Sequence, residues 1–150
     1  MFGFLNEKDR DILYLIFVSR KKQKDVQRIL GRSQSSLCYD INRIRDRLRF
    51  IFYLHSVFDI FVNFIHTAKE YFTPEELEVL TMMFYTSSFT LTSRVLGMSQ
   101  VKTRYSYDKC LHKMEMLELW QPYEIFVIIR ANLNMVRRVY RDIGCNTRLM

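Results

Sequence analysis

Apolar residues recur along the chain at helical spacing, in sets separated by short polar breaks. Ile12, Leu13, Leu15 and Ile16 form a first set, and Leu77, Val79, Leu80, Met83 and Phe84 form a later one. That period belongs to amphipathic helices, not to strands. Both sets open with a helix-start signal: Asn6 with Asp9 three positions on, and Thr73 followed by Pro74 and Glu76, close to a capping box. Polar loops at 19–22 and 86–88 follow. Shorter apolar sets come next, Val26, Ile29 and Leu30 in one place and Leu91, Val95 and Leu96 in the other, closed by Gly31 and Gly97. Glycine suits such a turn because a positive φ costs it little. Ser33 and Ser99 then stand where the cap of a third helix belongs. That helix carries Leu37, Ile41, Ile44 and Leu48 inward in the first case, and Tyr107, Cys110, Leu111 and Met114 in the second.

These parallels are a repeat. Residues 28–39, RILGRSQSSLCY, align without gaps on 94–105, RVLGMSQVKTRY, at an offset of 66. NEKDRDILYLIF at 6–17 matches TPEELEVLTMMF at 73–84, and FDIFV at 58–62 matches YEIFV at 123–127. Three collinear matches predict two tandem helical units, over residues 1–71 and 72–150. The apolar stretches 50–71 and 120–143 serve as the fourth element of each. Phe50, Phe52, Leu54, Phe58, Phe61, Val62 and Ile65 are too apolar for a solvent-facing helix, so the first stretch is expected to bury against the other unit in one compact body. A homodimer seam through these apolar helices is the alternative. In the tail, Ile125, Ile128, Ile129, Leu133, Val136, Val139 and Tyr140 make a stripe that can pack internally, dimerise or dock a partner. Composition agrees with an all-α fold: only 4 Gly and 2 Pro in 150 residues, with 49% apolar residues, leave few turns and ample core.

Charge narrows the partner. Between residues 19 and 49 there are ten basic and three acidic side chains. Arg130, Arg137, Arg138, Arg141 and Arg148 make the tail basic as well, within a net charge of +7. Basic surface of this kind suits a polyanion, nucleic acid first, or simply a solvated face. Cys38, Cys110 and Cys145 are three, far apart and without a C-x-x-C pair, so no disulfide framework or zinc site is expected and a reducing cytoplasm is the simplest home. MFGFLNEKDR does not read as a signal peptide. The run 50–66 is shorter than the ~20 residues of a membrane span and carries His55, Asp59 and Asn63, so no membrane association is expected. His55, His66 and His112 lack ligand spacing, and no phosphate loop or nucleophile–base set stands out. Neither catalysis nor a cofactor is expected.

A helix, a glycine turn and a capped helix make a helix-turn-helix grammar, which an ordinary αα-hairpin shares. What separates the two is the outward face of the third helix. In the first unit it offers Gln34, Ser35, Ser36, Cys38, Tyr39, Asn42 and Arg43. The second offers Gln100, Val101, Lys102, Arg104, Tyr105, Asp108 and Lys109. These are hydrogen-bonding groups followed by bases.

ILGRSQSSLCYDINRIRDRL at 29–48 resembles the helix-turn-helix of the C-terminal promoter-binding region of bacterial sigma factors, and the related LuxR-type domain. FTPEELEVLTMMF with LTSRVLGMSQVKTRY, within 72–105, is similar to the same superfamily. The second helix departs from the usual Glu-Ile-Ala opening, reading Asp25–Val26–Gln27 and Leu91–Thr92–Ser93. The apolar anchor after the turn is Leu37 in the first unit but Thr103 in the second. Nothing resembles the other regions of a full sigma factor.

The resemblance implies that each third helix enters the major groove by its first turn. Gln34 and Gln100 would pair with adenine, and Arg43 or Arg104 with guanine or phosphate. Ser33 and Ser35 would hold phosphate at the helix start. Arg20, Lys21 and Lys22 would lie over the backbone, with Ser36, Tyr39, Asn42, Lys102, Tyr105 and Lys109 completing the interface. The expected function is a nucleoid-associated transcription regulator on double-stranded DNA, of phage or mobile-element type. The alternative is a sigma-like protein that binds RNA polymerase and modulates it; a DNA-packaging or recombination adaptor is the weaker third.

Overall fold

Asn6 opens the first helix. Its side chain accepts the backbone N–H of Asp9 at 2.8 Å, satisfying one of the donors that a helix start leaves unpaired. The computed structural model describes residues 5–135, and every regular element among them is helical. Helix α1 (Glu7–Leu13) runs into a wider π-helical turn, Tyr14–Val18, and α2 (Gln23–Leu30) follows. Helix α3 (Gln34–Ser56) and α4 (Phe58–Thr67) come next, then a short 3₁₀ turn at Ala68–Glu70. The later residues form α5 (Pro74–Thr86), α6 (Phe89–Leu96), α7 (Gln100–Met116) and α8 (Trp120–Ala131).

The start signals act as their residue types dictate. Thr73 and Glu76 exchange side-chain and backbone bonds in a full capping box, at 3.2 and 3.0 Å, with Pro74 just inside α5. Ser33 and Ser99 cap α3 and α7 by accepting from Ser36 and Lys102. Gly31 and Gly97 end α2 and α6 with φ of 62° and 64°. No side chain caps α2; Ser88, inside a stretch expected only as loop, caps α6.

Helix α3 differs from expectation. Residues 50–71 were read as one fourth element, but α3 continues through Ser56 and the break falls at Val57, where α4 begins. Nothing from Arg49 to His55 is a helix breaker, so the backbone ladder has no reason to stop earlier. Helix α7 does stop, at Met116. There Glu118 takes a φ of 54° and the chain reverses into α8, with the Leu119 N–H bonded to the Met114 carbonyl at 2.8 Å.

Buried apolar side chains fall into two clusters. Leu5, Ile12, Val26, Leu37 and Ile44 make the smaller one, between α1, α2 and the first half of α3. The larger joins the end of α3 with α4 through α8. There Phe61 of α4 stacks on Phe84 of α5 at 3.9 Å between centroids and meets Phe126 of α8 edge-on at 6.3 Å. Phe64 meets Phe72 at 5.7 Å. Phe61, Phe64 and Ala68 are therefore buried within the chain itself, each aromatic ring contributing roughly 1.5–3 kcal/mol of burial. Among the described residues no single helix is long and apolar enough to cross a membrane; α3 and the segment Phe58–Glu70 meet both conditions only as a pair, across a 49° bend.

Candidate nucleic-acid interface

The turn between α2 and α3 is built from local bonds. Gly31 in the left-handed region lets the Arg32 N–H return to the Gln27 carbonyl at 2.9 Å, and Ser33 resumes extended backbone before capping α3. Val26 and Leu37 are fully buried and clamp the two helices together. The first two turns of α3 are thereby turned outward: Gln34, Ser35, Ser36, Tyr39 and Asn42 are all exposed. Ser35 meets only the Ser33 hydroxyl, at 3.3 Å. Lys21 lines a shallow cleft of about 300 Å³ with Cys38 and Asn42, which brings the loop before α2 beside the outer face of α3. Arg20, with a φ of 48°, and Lys22 flank it, both exposed. The side chains of Arg20, Lys21, Lys22, Gln34, Tyr39 and Asn42 make no hydrogen bond or ion pair among the described residues.

Arg43 does not follow through on that face. Its Nη2 donates to Oδ1 of Asp9 at 2.6 Å and lies 3.4 Å from Asp40. Arg47, one turn further, donates to Oδ2 of the same Asp9 at 3.1 Å. Asp40 is paired in turn with Arg32. Asp9 is wholly buried, and a buried carboxylate needs such partners because desolvation otherwise costs it several kcal/mol. Arg43, expected at guanine or phosphate, here meets Asp9 and Asp40 and holds α1 against α3.

The later helices repeat this seam with other residues. Glu76 of α5 is buried and receives Lys113 at 2.7 Å and Lys109 at 3.3 Å. Burial alone would push its carboxyl up, but hydrogen bonds from Lys113, the Thr73 N–H and Lys109 outweigh it and hold the group below its ordinary range. Lys109, half-exposed, is drawn toward α5. Lys102 pairs with Glu75 at 3.2 Å, and the Arg104 guanidinium sits 5.4 Å over the Phe89 ring. Only Gln100 and Tyr105 remain exposed and unengaged from the expected set on α7. Thr103 fills the buried seat that Leu37 holds in α3, with its hydroxyl donated to the Ser99 carbonyl at 2.9 Å.

Sequence reasoning left Arg47 and Lys113 out of any site and saw Asp9 and Glu76 only as cap residues. The repeat held a signal for them. Aligned positions 9 and 76, 43 and 109, and 47 and 113 keep their sign of charge while changing residue type. Two bases four apart on one helix lie on one face, so one acid can meet both.

The remaining candidates are structural. Burial, with the charge of Glu76 second, pushes the Cys110 thiol up to about 12, so it is inert. The Tyr107 hydroxyl is raised above its ordinary range by burial and donates to the Phe126 carbonyl at 2.5 Å. Among the described residues no three metal-ligating side chains gather. Arg130 pairs with Asp108. Arg137, Arg138, Arg141, Arg148, Cys145 and the tail stripe from Val136 onward lie outside the described residues. No family model, curated protein or solved structure matches the chain.

Proposed function

We propose that this chain is a DNA-binding transcription regulator whose reading head is the start of α3. The observation that carries the reading is the contrast in side-chain commitments. Around α3, Gln34, Tyr39, Asn42, Arg20, Lys21 and Lys22 are exposed with their hydrogen-bonding groups uncommitted among the described residues, while α1 and α2 pack behind the turn. An amide at the first turn of a protruding helix matches adenine in the major groove, and three bases in the adjoining loop match phosphates. On α7, by contrast, Lys102, Arg104 and Lys109 already meet Glu75, the Phe89 ring and Glu76 at the surface, so α7 is assigned a supporting role.

The test is fluorescence anisotropy on duplexes selected from a random pool, followed across salt concentration. With about four phosphate contacts, the log–log slope is expected near −4. Gln34→Ala should cost ~1–3 kcal/mol on the selected site and little on random DNA. Lys21→Ala should weaken both alike and lower the slope by about one unit. No binding at low salt, or a flat salt response, sinks the DNA reading and turns attention to a polymerase partner.

A further inference from the structure

A groove of about 870 Å³ lies between α1 and the middle of α3, and its Phe17 also borders the small cleft of Lys21 and Asn42. Its walls are apolar: Tyr14, Phe17 and Val18 on one side, Leu48 and Phe52 on the other. Tyr14 is 58% exposed, Phe17 70%, Val18 63% and Phe52 50%. Four large apolar side chains open to water on one face are characteristic of an interaction surface, not of scattered surface residues. The π-helical turn Tyr14–Val18, closed by the Ser19 N–H on the Tyr14 carbonyl at 2.9 Å, is what presents three of them.

The repeat indicates what belongs there. Phe17 and Val18 align with Phe84 and Tyr85. In the later position Phe84 is only 4% exposed, because α4 covers it with Phe58 and Phe61, and Tyr85 meets Phe61 edge-on. The covering helix thus presents two aromatic rings three residues apart. In the first half nothing among the described residues covers the matching face, and α4 cannot serve because its Phe61 and Phe64 are buried elsewhere. Tyr14 and Phe17 are themselves two aromatic rings three residues apart on a helix, so the open face carries the same equipment as the helix that would cover it. Its rim, Glu7, Arg10 and Asp11, holds both signs of charge. A two-fold axis running parallel to α1 would bring the carboxylates of one copy beside the guanidinium of the other.

We propose that a second copy of this chain covers the groove, face to face, through Tyr14, Phe17, Val18 and Phe52. The proposal stands apart from the DNA reading. Leu48 is about 21 Å along α3 from Gln34, so the first turn of α3 stays clear of the pair while Phe17 borders the cleft of Lys21 and Asn42, and a two-fold pair of such turns suits an inverted repeat.

Sedimentation of the full chain without DNA, from micromolar to near-millimolar concentration, tests it. A monomer–dimer equilibrium is expected. Phe17→Glu should weaken it about 100-fold or more while leaving the helical circular dichroism unchanged, since the ring is exposed. Arg10→Glu should also weaken it, as should Glu7→Arg with Asp11→Arg. Mixing those two variant chains should restore association, because each then meets the opposite charge. A monomer at every concentration overturns the proposal. So does a dimer indifferent to Phe17→Glu, or two charge variants that fail to recover on mixing.

Discussion

Two guanidinium groups converge on Asp9 in the first half of the chain, and two ammonium groups converge on Glu76 in the second. The seams join the same pair of helices, first to third, yet they are built for different depths. Asp9 is short and wholly buried, and the planar, many-donor guanidinium suits such a site. Glu76 reaches further and shares itself between two half-exposed lysines and its own helix cap. The outer faces differ in the opposite sense. The second half commits its bases on α7 to carboxylates and a ring, and covers its apolar face with α4. The first half leaves the start of α3 uncommitted and the α1 groove open. A buried charge seam thus coexists with an open α1 groove in one half, while in the other α4 covers the matching face.

The closed half should be the more sensitive to loss of packing. Phe61→Ala removes the ring stacked on Phe84 and the edge contacts to Tyr85 and Phe126. A loss of ~3–5 kcal/mol in urea unfolding is expected from the vacated volume. A loss below about 1 kcal/mol would mean that α4 does not hold the larger cluster together.

Next come the seams. Arg47→Met should cost about 3 kcal/mol, because Asp9 is left buried with one base in place of two. Lys113→Met should cost less, about 1 kcal/mol, since Glu76 keeps Lys109 and the Thr73 N–H. Equal losses in paired urea titrations would erase the distinction between the seams.

Much of this was open to sequence reasoning where the physics is local. A cap needs a side-chain oxygen one turn before the N–H it serves, and a left-handed turn needs glycine. Asn6, Thr73, Ser33, Ser99, Gly31 and Gly97 all take those roles. Inward faces were legible too, through the period that puts Leu37, Ile44, Tyr107 and Met114 in the core. The end of α3 was not, because no breaker or glycine marks the break at Val57 and the apolar run continues across it into α4. Nor was the inward turn of Arg43. Its partner lies 34 residues away, and a helical wheel places an arginine at the boundary on either side. On α7, Lys102, Arg104 and Lys109 looked like an interface by type alone; their partners Glu75, Phe89 and Glu76 arrive from other helices.

Acid should also separate the halves. The folded carboxyl of Glu76 is held below its ordinary value of 4.5. Its contribution is therefore complete above that value and is lost as pH falls through the lower, folded one. Unfolding free energies measured from pH 6 downward should decline, and Glu76→Gln should flatten the decline while lowering stability at pH 6. An unchanged acid limb in Glu76→Gln would place the loss in other carboxylates.

The smallest effect is expected where the two halves look most alike. Gln34 and Gln100 align, both follow a serine cap, and both are exposed at the first turn of a third helix. They differ in what stands behind them. The proposed groove reading needs phosphate contacts to seat the helix, and around α3 Arg20, Lys21 and Lys22 would supply them. The loop before α6 has Ser87 and Ser88 instead, both buried, and the bases on α7 itself already have partners on neighbouring helices. Gln100→Ala should therefore change affinity for a selected duplex by less than about 0.5 kcal/mol, well inside the loss expected for Gln34→Ala. Anisotropy titrations of both variants on the same duplex decide it. If Gln100→Ala abolishes binding while Gln34→Ala is silent, the reading head lies on α7, and Lys102 and Lys109 must exchange their carboxylates for phosphates on binding.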